Sequence, residues 1–128
     1  MNTTTFAILV HGSASNCKSH QSAQDFIGAA KKLGHSIDSV FFYGDATSIT
    51  LQNSSVCRVQ KNWLKLSLQY QFPLQTCIST AINRGVIDTQ LAEETGEPVN
   101  LMEGFTLEGL GALAETIHHN CRIIEFGA

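Results

Sequence analysis

The chain has 128 residues, enough for one domain with a real core, and it is 43% hydrophobic and 15% charged, the composition of an ordinary soluble globular protein. The low charged fraction hints at a surface partly covered by partners. The net charge is −3 and Lys and Arg are scattered along the sequence, so the bulk numbers offer no electrostatic case for direct nucleic-acid binding.

The first residues, Met1 to Thr5, carry no basic residue, and the apolar run Phe6 to Val10 is too short for a signal core. No apolar stretch approaches the ~20 residues of a membrane helix. A cytoplasmic protein with reduced thiols and no membrane contact is therefore expected. Cysteines stand at 17, 57, 77 and 121 without a Cys-x-x-Cys pair, so neither a zinc nor a thioredoxin motif is present.

The elements run as follows. Phe6 to Val10 is a continuous apolar strand, buried on both faces. A small polar loop, His11 to Ser19, leads into a helix whose apolar stripe is Ala23, Phe26, Ile27, Ala30 and Leu33, ended by Gly34. Ser39 to Tyr43 is a second strand rich in β-formers. Gly44 to Ser55 is polar and irregular. Val56, Val59, Trp63, Leu66 and Tyr70 mark a second amphipathic helix, and Pro73 precedes a strand ending at Cys77. A helix-like stretch runs from Ile78 to Gly85, a loop around a short helix near Thr89 to Thr95 follows, and Phe105 to Leu107 is a brief fourth strand. Leu110, Leu113, Ala114 and Ile117 form a helical stripe, and Arg122 to Phe126 is the terminal strand. This alternation predicts a single domain over residues 1–128, a three-layer α/β/α fold with a mainly parallel sheet of about five strands. The first, third and last strands carry few polar residues and are expected at its centre.

Cys77 is the candidate catalytic residue. A thiol at a strand's carboxyl end and a helix's amino end meets outward-facing N–H groups, which favour the anionic, nucleophilic thiolate. Open α/β sheets also place their ligands at that end. Residue type alone points to packing, because free Cys is among the most buried residues; position carries the functional reading. Ser79 and Thr80 could add donors, and Arg84 reads as a solvated or ion-paired helix end. Cys17 lies in the first loop near Lys18 and His20, cations that could activate it, but an inert loop thiol is the simpler reading. Cys57 and Cys121 read as packing residues. His11-Gly12-Ser13 could furnish an oxyanion donor or metal ligand, yet no Gly-x-Ser-x-Gly elbow or second ligand accompanies it. His118 and His119 are adjacent on a helix and cannot chelate together. Gly109 and Gly111 allow close backbone approach, within the chain or to another. No cofactor motif is present.

Taken together, Phe6-Ala7-Ile8, Ser39 to Tyr43, Cys77 to Ala81, Arg84 to Asp88, Gly104 to Leu107, Gly109 to Glu115 and Arg122 to Phe126 resemble the DsrE/TusD family of small sulfurtransferase subunits, most closely its TusD members. The resemblance covers nearly the whole chain in order. It implies a DsrE-like α/β/α fold and a heterohexamer with two related small subunits. It implies that Cys77 accepts a sulfane sulfur from an upstream carrier as a persulfide and passes it to a downstream carrier. The relay would end in 2-thiolation of the tRNA wobble uridine, with tRNA met only indirectly and no cofactor needed. The alternatives are a DsrE-type subunit of a sulfur-oxidation trafficking complex, or a non-catalytic structural subunit. The loops His11 to Ser19 and Gly44 to Ser55 depart from the family pattern and leave carrier choice open.

Overall fold

The computed structural model describes residues 3–13, 18–52, 57–118 and 121–127. Among these residues there are five strands: β1 (Thr5–Val10), β2 (Ser36–Phe42), β3 (Leu74–Cys77), β4 (Phe105–Glu108) and β5 (Arg122–Phe126). The helices are α1 (Lys18–Lys32), α2 (Cys57–Tyr70), α3 (Ile78–Asn83), α4 (Thr89–Thr95) and α5 (Leu110–His118), with a 3-10 helix over Gly44–Thr50. Every strand pairing is parallel, in the order β4-β3-β2-β1-β5. Parallel pairing needs a crossover between strands, and the helices supply it.

Strand alternation divides the side chains between two faces. Ile8 and Val10 of β1, Val40 and Phe42 of β2 and Leu74 of β3 share one core cluster with Ala23, Ile27 and Ala30 of α1 and Val59 and Trp63 of α2. Trp63 is fully buried, with its ring edge-on to Phe42 at 5.2 Å between centroids. On the opposite face, Ala7, Leu9, Ser39, Phe41 and Ile123 meet Leu113 and Thr116 of α5.

The expected strand placement needs one correction. β2, not β5, is the central strand, and β5 lies at the edge, pairing with β1 alone. Arg122, Ile123 and Glu125 are accordingly exposed. The apolar content of β5 reflects Ile124 and Phe126 packing against the α1 side, not burial on both faces.

Three further expectations change. Gly44 to Thr50 is ordered as the 3-10 helix, with Ala46, Thr47, Ile49 and Thr50 buried and Gln60 Nε2 donating to the Ile49 and Leu51 carbonyls. Leu33 falls past the end of α1 and is 70% exposed. The α5 stripe is largely open, with Leu110 65% and Ile117 55% exposed, because only the Leu113 and Thr116 flank faces the sheet.

Candidate functional site

Cys77 ends β3 and is at the same time the N-cap residue of α3, with extended backbone at φ −61° and ψ 117°. Its side chain makes no capping hydrogen bond, so the first N–H groups of α3 are not satisfied by that thiol in a capping arrangement. The residue is a free cysteine, 5% exposed. Leu74 packs in the α1–α2 core cluster, so strand alternation assigns Thr76 to that face and Cys77 to the other.

There the thiol lines a concave pocket of about 470 Å³ formed by Leu9, Phe41, Tyr43, Cys77, Ser79, Thr80, Leu110 and Leu113. The lining contains no acidic or basic side chain. The three strand ends after β1, β2 and β3 and the start of α5 converge on it, which is the carboxyl edge where parallel sheets bind ligands. Ser79 and Thr80 do face this pocket, as the sequence suggested, but the Thr80 hydroxyl donates to the Cys77 carbonyl at 3.3 Å.

Tyr43 connects the pocket to a polar cluster that sequence reasoning missed. Its hydroxyl donates to Glu125 Oε1, and the same carboxylate oxygen lies 3.0 Å from His11 Nε2. The His11 and Tyr43 rings are 5.2 Å apart. Burial and the bond to Glu125 push the Tyr43 phenol up to about 12, so it stays a neutral donor at physiological pH. Each partner stands just past the end of its strand or near it, and only the sheet order brings residues 82 apart in sequence together. His11 therefore serves this cluster. Among the described residues no three His, Cys, Asp or Glu side chains gather as a metal site would require.

The loop after β1 is pinned by His20. This residue is fully buried, with Nε2 3.1 Å from the Gly12 carbonyl and Nδ1 accepting from Trp63 Nε1 at 3.1 Å. Trp63 can only donate, so Nδ1 is unprotonated and Nε2 carries the hydrogen. Burial lowers the His20 pKa, outweighing the Gly12 bond that raises it. His20 is thus neutral and supplies no cation for a neighbouring thiol, contrary to the expectation for Cys17. Cys17 itself lies outside the described residues.

The other candidates sort as follows. Arg84, the C-cap residue of α3, pairs with Asp45 as a helix-end ion pair. Burial pushes the Cys121 thiol up, and the Asp38 carboxylate adds to the shift, which disfavours its nucleophilic form. Of Cys57 only the backbone, at the first residue of α2, is described, and His119 lies outside the described residues. A methyl group built on Gly109 or Gly111 would meet nothing within 4 Å, so neither glycine serves close packing within the chain. Close approach to the backbone occurs instead at Gly104, where φ is +105° and a methyl would lie 2.5 Å from Leu64 Cδ2, and at Gly127, where a methyl would lie 2.0 Å from Cε1 of the His11 ring.

Comparison with known proteins agrees with this architecture. The crystal structure of the ychN protein from E. coli superposes with a TM-score of 0.72 at 16% identity, covering 96% of this chain and 99% of its own; it shares the fold. The sulfurtransferase TusD of Photorhabdus laumondii is 35% identical over 131 residues, spanning 98% of this chain and 100% of its own. The sulfurtransferase TusD of Salmonella newport is 38% identical over 126 residues, spanning 94% and 98%. The family model described as DsrE/DsrF-like matches residues 5–126. On that match, and on relatives aligned nearly end to end, the chain belongs to the DsrE/DsrF-like family.

Proposed function

We propose that this protein is a sulfurtransferase subunit that carries sulfur as a persulfide on Cys77. The observation that carries the reading is the position of Cys77: a free thiol at the carboxyl end of a parallel strand, opening into an apolar pocket, in a chain whose relatives are named sulfurtransferases. The Cys77 thiolate attacks the outer sulfur of a carrier persulfide. A new S–S bond forms at Cys77, the carrier's S–S bond breaks, and the electron pair leaves on the carrier sulfur, which takes up a proton. No net oxidation occurs and no cofactor enters. A second carrier thiolate then attacks the outer sulfur and returns Cys77 to its starting state.

The pocket suits this intermediate in two ways. Its lining places no carboxylate against the anionic persulfide. Leu9, Phe41, Leu110 and Leu113 surround the thiol with apolar side chains, which restricts water and stray thiols. The downstream fate in this reading is 2-thiolation of a tRNA wobble uridine, reached through carrier proteins and in an assembly with two related small subunits. The test is a chase: protein loaded with one extra sulfur is mixed with a cysteine-bearing acceptor, and both masses are followed. Stoichiometric movement of the sulfur to the acceptor supports the relay; sulfur that stays on the protein, or leaves only as free sulfide, contradicts it.

A further inference from the structure

The Cys77 pocket is more apolar than its residue types suggest. Leu9, Phe41, Leu110 and Leu113 wall it, and two of its three hydroxyl groups are already committed. Tyr43 spends its hydroxyl hydrogen on Glu125 Oε1, which lies outside the lining. Thr80 spends its own on the Cys77 carbonyl. Ser79 is left as the one lining hydroxyl without an acceptor among the described residues. The basic side chains that follow β1 and α3, His11 and Arg84, are paired with Glu125 and Asp45. Neither belongs to the lining.

Size adds a second constraint. A volume of about 470 Å³ falls within the range of about 300–1,000 Å³ usual for ligand pockets. The two sulfur atoms of a persulfide fill only a small part of it. Cys77 is buried, so the donor sulfur has to enter the cavity to reach it, and the groups that flank that sulfur enter with it. Leu110, exposed at the start of α5, carries the apolar surface outward from the cavity. A charged flank that enters here leaves water and meets no opposite charge in the lining. An apolar flank gains by leaving water. Leaving the wrong partner's charge unpaired is a general means of discrimination.

We propose that the Cys77 pocket selects sulfur donors whose persulfide-bearing cysteine is flanked by apolar side chains, and rejects anionic small persulfides such as glutathione persulfide. The proposal rests on the sulfur-relay reading and adds the chemistry of the donor: a protein segment with apolar residues around its cysteine, seated against Leu110 and Leu113. Each donor delivers its outer sulfur to Cys77 and leaves as a thiol, so selection acts on what surrounds the sulfur and not on the transfer itself.

The test compares loading rates of the full-length protein, read as the gain of one sulfur by intact mass at low donor concentration. The donors are glutathione persulfide and short end-blocked peptides persulfidated on a central cysteine, flanked on both sides by Leu, by Glu or by Lys. Each rate is divided by that donor's rate with dithiothreitol, which removes differences in intrinsic reactivity. A single methylene in an apolar pocket changes rates by about 10–200-fold, so the Leu-flanked peptide should load at least ~10-fold faster than the other three donors. Leu110→Lys places a cation at the rim and should narrow the gap between the Leu-flanked and Glu-flanked peptides. Leu33→Lys makes the same charge change at an exposed position past the end of α1 and should leave the gap as it was. Equal rates for the Leu-flanked peptide and any charged donor, or a gap that Leu110→Lys leaves unchanged, would overturn the proposal while loading on Cys77 stands. Loading by no donor, or equal loading of Cys77→Ser, would overturn the relay reading and the proposal with it.

Discussion

Lowering the pH should destabilise the fold through His20, and the size of the effect follows from its two hydrogen bonds. In the native state Nδ1 accepts from the Trp63 indole and Nε2 faces the Gly12 carbonyl, both at 3.1 Å. Protonating Nδ1 turns the acceptor into a donor facing a donor, inside a fully buried site. The folded-state pKa is lowered by that burial, so the unfolded chain binds the proton more readily. The sign is therefore that stability is whole above the unfolded pKa of about 6.5 and declines as pH falls below it. The limiting slope for one such group is about 1.4 kcal/mol per pH unit, until the folded-state pKa is reached. Urea denaturation between about pH 7.5 and about pH 5, above the main carboxylate range, reads this directly. His20→Gln keeps a donor and an acceptor but cannot titrate, so its stability should be nearly flat over that range. His20→Ala orphans both partners and should cost about 2–6 kcal/mol at neutral pH, at about 1–3 for each group left unpaired. Equal pH slopes in wild type and His20→Gln would refute the reasoning.

Three smaller predictions follow from single positions. Thr76 Oγ1 is buried and has no hydrogen-bond partner among the described residues, so Thr76→Val should raise stability by about 1 kcal/mol in thermal or urea unfolding; a loss would mean that the hydroxyl is satisfied in solution. Gly104→Ala combines a positive φ with a contact at 2.5 Å to Leu64, and should lower stability by about 1–3 kcal/mol, with partial recovery in Gly104→Ala, Leu64→Ala if the contact dominates. Tyr43 should titrate at about 12 in an ultraviolet pH titration, and Glu125→Gln, which removes the carboxylate charge while keeping an acceptor, should bring it down toward the ordinary value near 10. A Tyr43 transition unchanged by that substitution would show that burial alone sets it.

The strands and long helices were legible because their signals are local. The run Phe6 to Val10 needs no neighbour to be recognised as a strand, and the spacing of Val59, Trp63 and Leu66 already defines one face of α2. The position of Cys77 at a strand-to-helix junction was equally local. What escaped the sequence depends on sheet order. Tyr43, Glu125 and His11 meet because β5 pairs beside β1, and no periodicity encodes that neighbour. The same holds for β5 itself, whose apolar residues look central until the order places it at an edge. The sequence presents His20 as a cation because no partner is visible near it; its burial under Trp63 depends on α2 packing across α1.

The central claim is that Cys77 is the sulfur acceptor. The most direct measurement is intact-protein mass after incubation with a persulfide donor, for wild type and Cys77→Ser side by side. The account predicts a gain of one sulfur atom, reversed by reductant, in the wild type and none in the variant. An equal gain in both would place the acceptor on another thiol and contradict it.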